Sequence, residues 1–411
     1  MTVARLSLPL TLLVVAACSS TDGTASPAPS TCAPGCGGDA ASTSSSGSVP
    51  PVEGGLDSGS GPQGGDAGDA ATGVQDAAPD AVAPTPPASW LPVTGNLAGL
   101  SSDCGNMDGV YPDPTSDMLI AGVAKQGLWA STDGAASWHK LGTSGDTIVN
   151  RASAIVFDPA HPATFWESGI YGPGVFVTTD NGATFRGYGA ASHNDSVAID
   201  FTDPQRRTML AGGHEKSNTL LLSTDAGQSW TNLYAKVPAG LGFCTTTAVI
   251  DAKTFLVGCA ASWSGAAGAI LRSTDGGGSF QQVSPKGVVG QPLRASDGAI
   301  HWAVEGGGIV TSTNGGATWT PTAAANEAGT LPPLELPDGR IVSSQGKSLV
   351  VSDKGASWTT IAGATIPGSY APTGLSYSPY RNAFFIWYFT CSGANDVPAD
   401  AILRFGWDYR K

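Results

Sequence analysis

Short apolar runs recur along the chain from Trp90 onward, and Gly, Asp, Pro or Ser separates each run from the next. One repeat, between Val197 and Tyr234, reads VAIDFTDP, TMLAGGH, TLLLSTDAGQSW and TNLY. These runs are rich in Leu, Ile and Val and show no helical period of useful length, so each predicts a short β-strand. The pattern therefore predicts an all-β domain built from units of four strands.

A turn that ends in an aromatic residue follows the third strand of each unit. It reads STDGAASW, TTDNGATF, STDAGQSW, STDGGGSF, STNGGATW and VSDKGASW, starting at Ser131, Thr178, Ser223, Ser273, Ser312 and Val351. Its third residues are Asp133, Asp180, Asp225, Asp275, Asn314 and Asp353, separated by 47, 45, 50, 39 and 39 residues. We expect this side chain to accept backbone hydrogen bonds and the glycine to supply a positive φ angle. The aromatic side chain should pack between neighbouring sheets, so each repeat is one supersecondary unit.

The pattern S-x-D-x-G-x-[ST]-W resembles the Asp-box, or bacterial neuraminidase repeat, of β-propellers. The resemblance covers nearly all of residues 90 to 411, and its six copies depart from the pattern at Ala135 in place of a glycine, Asn314 in place of an aspartate and Val351 in place of the first serine. Three further strands follow Trp358, in GLSYSPY, AFFIWYF and AILRFGW, and lack a fourth. SWLPV at Ser89 to Val93 has the character of that missing outer strand. The resemblance thus implies a seven-bladed propeller whose seventh blade is closed by the N-terminal strand, which removes free sheet edges.

Residues 1–17 have the pattern of a signal peptide, with one basic residue and an apolar stretch too short to span a bilayer. Val15-Ala16-Ala17-Cys18 resembles the lipobox of bacterial lipoproteins, which implies lipidation of Cys18; the alternative is an ordinary signal in which Cys18 is incidental. Residues 18–88 are mainly Ser, Gly, Ala, Pro, Thr and Asp with no aromatic residue, so they cannot bury enough apolar surface to fold and we expect a disordered tether. Residues 89–411 hold all eleven tryptophans and form the predicted propeller.

The acidic composition restricts the partners. The tether carries eight acids and no Lys or Arg, and the whole chain has a formal net charge of −13, which argues against nucleic-acid binding. No motif indicates a cofactor, and we assign no metal ligand. We expect a monomer in the bacterial cell envelope, attached to the membrane only through its lipid and facing a glycan or an envelope protein.

Seven cysteines are present, and six remain once Cys18 is assigned to the lipid. In an oxidising compartment these suit disulfides. We predict the pairs Cys104–Cys391, joining the first and seventh blades, and Cys244–Cys259, bracketing a hairpin of the fourth. Cys32 and Cys36 either pair within the tether or stay reduced.

Ligands of such propellers usually meet the face opposite the Asp-boxes, so the loops on that face are the place to search. They supply the ligand-binding candidates Arg151, Tyr171, His193, His214, Trp263, Arg294 and Tyr370 and the catalytic candidates Asp108, Asp195 and Glu215. The densest polar group is SHND (Ser192 to Asp195) with GHEK (Gly213 to Lys216), which suits acid–base or metal chemistry or is simply solvated.

The related families differ in chemistry. Sialidases use an Arg-Ile-Pro motif that is absent here, and xyloglucan-cleaving glycosidases use two propellers and an acid where this chain reads GVAKQGLW. Photosystem assembly factors and sortilin-type receptors bind proteins without catalysis. The favoured interpretation is a glycan-binding propeller on a lipoprotein; a glycoside hydrolase is the alternative, and a protein-assembly scaffold is third.

Overall fold

Each sequence repeat folds into one antiparallel sheet of four strands. The computed structural model describes residues 89–102, 107–143, 148, 150–215, 218–261, 264–322, 331–368, 372–388 and 396–411. In this part of the chain seven such sheets form a seven-bladed β-propeller with almost no helix. The short helical elements are 3-10 turns at Gly95–Leu97 and Tyr234–Lys236.

The strands are numbered in chain order, and β1 spans Trp90–Pro92. Blade 1 contains β2 (Met107–Pro112), β3 (Leu119–Val123), β4 (Gly127–Ser131) and β5 (His139–Lys140). Blade 2 contains β6 (Arg151–Phe157), β7 (Phe165–Ile170), β8 (Val175–Thr178) and β9 (Arg186–Gly187). Blade 3 contains β10 (Asn194–Ile199), β11 (Met209–Gly213), β12 (Leu220–Ser223) and β13 (Thr231–Asn232). Blade 4 contains β14 (Phe243–Val249), β15 (Phe255–Ala260), β16 (Ala269–Ser273) and β17 (Gln281–Ser284).

The remaining blades follow the same order. Blade 5 contains β18 (Val288–Arg294), β19 (Ile300–Val304), β20 (Ile309–Ser312) and β21 (Thr320–Pro321). Blade 6 contains β22 (Leu334–Glu335), β23 (Ile341–Gln345), β24 (Ser348–Ser352) and β25 (Trp358–Thr365). Blade 7 contains β26 (Gly374–Ser378), β27 (Ala383–Trp387) and β28 (Ile402–Gly406), and β1 completes it.

Strands from both ends of the described chain share the seventh sheet. β1 pairs with β28 in the register Trp90↔Phe405, and the two rings lie 5.3 Å apart between centroids. The amide of Ile402 donates to the Thr94 hydroxyl at 3.0 Å, which extends the pairing past the end of β1. The outer edge of β28 is therefore covered by chain from before the first blade.

The core lies between the blades. The second strand of each sheet is buried along nearly its whole length, because neighbouring blades cover both of its faces. The aromatic residue at the end of each recurring turn packs into the same layers; Trp138, Phe185 and Phe280 are all buried there. The prediction that these aromatic side chains pack between sheets is confirmed.

The recurring turns share one hydrogen-bond network. In the third copy the Ser223 hydroxyl donates to Asp225 Oδ1 at 2.8 Å and accepts from the Gly227 amide at 2.8 Å. Asp225 in turn accepts the amide and the hydroxyl of Ser229. The copies that start at Ser131, Thr178, Ser273 and Ser312 repeat this arrangement, with Asn314 accepting in place of an aspartate in the last of them.

The sixth turn differs from the expectation drawn from the sequence. Ser352, and not Val351, lies opposite the first residue of the second strand, where the other copies have their first Ser or Thr. Trp358 is six positions after Ser352, whereas the aromatic residue of each other copy is seven positions after its first Ser or Thr, so this turn is one residue shorter. The Ser352 hydroxyl is buried without a hydrogen-bond partner.

The predicted Cys244–Cys259 disulfide is present. The two cysteines lie directly opposite each other on β14 and β15, so the bond links adjacent strands within blade 4. Cys104 and Cys391, together with Cys18, Cys32, Cys36 and the predicted signal and tether, lie outside the described residues.

Candidate functional site

The seven first strands surround a central cavity of about 1030 Å³. We call the end where these strands begin the top face and the end that carries the recurring turns the bottom face. Asp108, Arg151, Asp195 and His214 line the cavity near the top face, and Arg294 and Glu335 line it near the bottom. The middle of the cavity is mainly apolar, with Val110, Ala154 and Val197 among the lining side chains. The polar chemistry is therefore concentrated at the two ends.

An ion pair joins blades 1 and 2 at the top of the cavity. Arg151 Nε donates to Asp108 Oδ1 at 2.6 Å, and the side chains are 19% and 3% exposed. Burial raises the pKa of Asp108 to about 7 from its ordinary value near 3.8, although the Arg151 guanidinium acts in the opposite direction. The second carboxylate oxygen, Oδ2, is buried without a hydrogen-bond partner. Asp108 is thus a carboxyl group whose charge changes near neutral pH.

A second buried acid lies behind this pair, on the fully buried strand β7. Glu167 has no exposed surface, and the Asn150 side-chain amide donates a long hydrogen bond of 3.4 Å to its Oε2. Burial raises the pKa of Glu167 well above its ordinary value; the hydrogen bond from Asn150 opposes this, and the charge of Asp108 adds to it. Oε1 of Glu167 and Oδ1 of Asn150 have no hydrogen-bond partner. Burial therefore favours the neutral form of Glu167.

Three aromatic rings meet at the top face beside the cavity. Tyr171 follows β7, His193 precedes β10 and His214 follows β11. The ring centroids lie 5.3 Å apart for Tyr171 and His193, 5.5 Å for Tyr171 and His214, and 4.8 Å for the two histidines. Backbone hydrogen bonds from His193 to Gly172 and from His214 to His193 tie the three loops together. We call these three residues the aromatic triad.

The triad carries a defined set of polar contacts. His214 Nδ1 lies 2.8 Å from Asp195 Oδ1, and His214 Nε2 lies 3.5 Å from Glu215 Oε1 and 3.5 Å from the Tyr171 hydroxyl. His193 Nδ1 accepts the backbone amide of Tyr171 at 3.0 Å. Burial lowers the pKa of His193, and the neighbouring His214 acts in the same direction. His193 is therefore neutral at physiological pH, with its proton on Nε2.

Two residues of the aromatic triad, and the residue after the third, have left-handed backbone conformations. Tyr171, His193 and Glu215 have φ angles of 59°, 58° and 44°, in the left-handed region that side chains with a Cβ rarely adopt. Such conformations persist only where the surrounding structure enforces them, and they cluster at binding and catalytic sites. Tyr171 is also 60% exposed, so its ring is presented to solvent although its backbone is held.

The structure brings together most of the site residues predicted from the sequence and separates one. Tyr171, His193, His214, Asp195 and Glu215 form one contact group, and Asp108 and Arg151 form an ion pair at the adjacent edge of the cavity. Arg294 was expected on the same face, but it ends β18 at the bottom face, where its guanidinium lies 3.4 Å from the Ile250 carbonyl. Arg294 is therefore excluded from the top-face site. Trp263 and Tyr370 lie outside the described residues.

The sequence analysis missed Glu167 and Asn150. Glu167 lies within the apolar strand FWESGI, and an acid in a fully buried second strand was the signal that could have revealed it. Gly169 makes room for Asn150, because a Cβ atom at Gly169 would lie 2.3 Å from the Asn150 side chain.

The described residues contain no group of three or more His, Cys, Asp or Glu arranged to hold a metal ion. They also include no helix long and apolar enough to cross a membrane.

No protein-family model matches the chain, and no curated protein matches it. Similar solved structures include a GH74 xyloglucanase from Xanthomonas campestris, with 17% identity, a TM-score of 0.50 and coverage of 76% of this chain and 55% of that chain. A GH74 enzyme from Niastella koreensis has 17% identity, a TM-score of 0.39 and coverage of 71% and 57%. YCF48 from Cyanidioschyzon merolae has 13% identity, a TM-score of 0.46 and coverage of 77% and 98%. The similarity to the xyloglucanase shows a shared propeller fold, and the chain spans little more than half the length of the two GH74 enzymes.

Proposed function

We propose that this protein is a cell-envelope lipoprotein whose propeller binds glycans at the top face. The observation that carries the proposal is Tyr171, an exposed ring on a strained backbone beside two histidines and two acids. An aromatic face stacks on the apolar face of a sugar ring, and the surrounding His and carboxylate groups suit sugar hydroxyls. The recurring turns, as proposed Asp-boxes, supply the rigid frame. Cleavage before Cys18, its lipidation and the tether to residue 88 would hold the domain at the membrane.

Binding to a panel of polysaccharides, measured by calorimetry on the intact chain, tests the proposal. Tyr171→Ala should weaken binding by about tenfold or more, because it removes the stacking surface. Tyr380→Ala is the matched control, since Tyr380 is 54% exposed but lies at the bottom face, where its hydroxyl donates to the Thr115 carbonyl. Equal binding by wild type and Tyr171→Ala would contradict the proposal.

A glycoside hydrolase is the second candidate, and the buried Asp108 favours it. A carboxyl group with a pKa of about 7 at the edge of a large cavity suits a general acid. Hydrolysis by two carboxyl groups also requires a partner across the bond, and Asp195 already contacts His214. Saccharide products that contain one added water, lost in Asp108→Asn, would establish this function. A scaffold role is the third candidate and predicts an envelope protein partner instead of a glycan.

A further inference from the structure

His214 is held in one tautomer by its neighbour. Its Nδ1 lies 2.8 Å from a carboxylate oxygen of Asp195, which can only accept a hydrogen bond when ionised, so Nδ1 carries the proton. When the ring carries only this proton, Nε2 presents a lone pair, and Nε2 lies 3.5 Å from both the Tyr171 hydroxyl and Glu215 Oε1. The His214 side chain is 14% exposed and lines the cavity, so this lone pair lies where a bound ligand can reach it. A base held in this way by a carboxylate is suited to proton abstraction.

Tyr171 faces the same nitrogen. Its hydroxyl is 3.5 Å from His214 Nε2, at the limit of a hydrogen bond, so the two groups are neighbours without being tightly bonded. The phenol can donate a proton, and its exposure leaves it accessible to a ligand. His193 takes no part as a base, because its Nδ1 already accepts the Tyr171 amide; it positions the Tyr171 backbone.

A positive charge lies at the same edge of the cavity. Arg151 on β6 pairs with Ile170 on β7, and Ile170 immediately precedes Tyr171 in the chain. Its partner Asp108 has a pKa of about 7, so near neutral pH part of the population has Asp108 protonated. Arg151 is 19% exposed and lines the cavity, so a carboxylate on a ligand can approach its guanidinium from the cavity side.

We propose that the triad and Arg151 form the site of a lyase that cleaves glycans containing uronic acids by β-elimination. This inference rests on the glycan-binding function proposed above and adds a substrate class and a reaction to it. It uses a neutral imidazole, a phenol and a guanidinium, whereas hydrolysis by paired carboxyl groups uses none of these. No water, metal or redox partner enters the reaction.

The step balances within the substrate and two side chains. His214 Nε2 takes the proton from C5, the carbon next to the substrate carboxylate, while Arg151 pairs with that carboxylate. The C5–H electron pair becomes the C4=C5 double bond, and the C4–O bond breaks with its electrons passing to the leaving oxygen. The Tyr171 hydroxyl gives that oxygen its proton, and the protonated His214 returns a proton to Tyr171. The two fragments together have the composition of the original glycan.

The test incubates the intact chain with polygalacturonate, alginate and hyaluronan, and with xyloglucan as the neutral comparison. Ultraviolet absorbance detects the double bond conjugated to the carboxylate, mass spectrometry shows whether water was added, and calorimetry measures binding. Tyr171→Phe and His214→Gln should lower the rate by about 100-fold or more, the scale of general acid–base catalysis. Tyr171→Phe keeps the ring and should keep the affinity, and Tyr380→Phe should behave as wild type in both assays.

Unsaturated products from a uronate polymer, lost in Tyr171→Phe with binding retained, would support the inference. Products that contain added water would overturn it in favour of hydrolysis. Binding to glycans with no product from any of the three uronate polymers would overturn it and leave the glycan-binding proposal standing. No binding to any glycan would overturn both. Unsaturated products formed equally by wild type and Tyr171→Phe would overturn the assignment of the proton donor.

Discussion

Single residues determine the shape of each recurring turn, and two consecutive left-handed positions are the clearest case. In the third copy Ala226 and Gly227 have φ angles of 58° and 81°. A Cβ atom at Gly227 would lie 2.4 Å from the Tyr188 ring, so this position needs glycine both for its φ angle and for its contact. Gly240 has a φ angle of 83° but nothing within 4 Å of such an atom. An alanine at Gly240 would therefore add backbone strain alone, whereas an alanine at Gly227 would add backbone strain and a steric overlap with Tyr188.

Gly240→Ala should lower the free energy of unfolding by about 1 to 2 kcal/mol, the cost of an L-residue at positive φ. Gly227→Ala should lower it by about 1 to 3 kcal/mol more, because the buried Tyr188 ring must move. Urea unfolding of the two variants measures the difference. Equal losses of unfolding free energy in the two variants would show that the Tyr188 ring moves away from the new Cβ atom at no measurable cost.

The acidic position of the turn allows a second comparison. Asp180 accepts the amide and the hydroxyl of Thr184, and these hydrogen bonds lower its pKa. Asn314 accepts the Thr318 amide in the same way, and its side-chain nitrogen donates to the Thr318 hydroxyl. Asp180→Asn should therefore lower the melting temperature less than Asp180→Ala does, because only the alanine leaves the Thr184 amide without its acceptor. Thermal unfolding at neutral pH checks this, and equal losses would contradict it.

The candidate site residues were predictable one by one, but their contacts were not. His193, Asp195 and His214 were placed on top-face loops from the blade pattern alone, and the structure brings them into contact. The 3.5 Å approach of Tyr171 to His214 depends on the left-handed backbone at Tyr171, which no residue pattern indicates for a tyrosine.

At the scale of elements, strand direction decides which end of the cavity a side chain reaches. Arg151 begins β6 and Arg294 ends β18, so two arginines on equivalent first strands lie at opposite faces. The sequence analysis located the first strands but not their exact ends. Because β18 also contains a bulge between Val289 and Leu293, the sequence pattern did not show that Arg294 lies at the bottom end of this strand. Blade number followed from the repeats, because each four-strand unit buries its apolar faces against its neighbours in the same way.

The interface between blades 1 and 2 should make stability depend on pH through Glu167. The folded pKa of this acid is raised, so the folded state binds more protons than the unfolded state above pH 4.5, the ordinary pKa of the group. Wild-type stability contributed by Glu167 is thus present below that pH and is lost as pH rises through the folded pKa. Glu167→Gln carries no such loss and should raise the melting temperature relative to wild type by an amount that grows as pH rises above 4.5.

Asp180→Asn is the control for this pH series. The folded pKa of Asp180 is lowered, so its contribution is present above the unfolded pKa and is lost as pH falls. Replacing it should therefore cost stability at neutral pH, the opposite sign to Glu167→Gln. A difference between Glu167→Gln and wild type that stays constant from pH 5 to pH 8 would mean that Glu167 ionises normally.

For the whole molecule, the cavity and the site depend on closing the ring of blades. The first strands of all seven blades line the cavity, and the ion pair between Asp108 on blade 1 and Arg151 on blade 2 lies at its top edge. Blade 7 contacts blade 1 through the hydrogen bond from Arg404 to the Gly134 carbonyl at 3.0 Å and through the ion pair of Arg381 with Asp117. Loss of closure should therefore affect stability and ligand binding together.

Two truncations test that dependence. A variant lacking residues 1–88 keeps β1 and should melt at the wild-type temperature, because all the described pairing of blade 7 is retained. A variant lacking residues 1–94 loses the three register pairs of β1 with β28, the Trp90–Phe405 contact and the Thr94 hydroxyl that accepts the Ile402 amide. Its melting temperature should fall by on the order of 10 °C, since several kcal/mol of strand pairing and burial are removed. Melting of the two variants at the same temperature would show that three strands suffice for blade 7 and that ring closure rests on the contacts of Arg381 and Arg404.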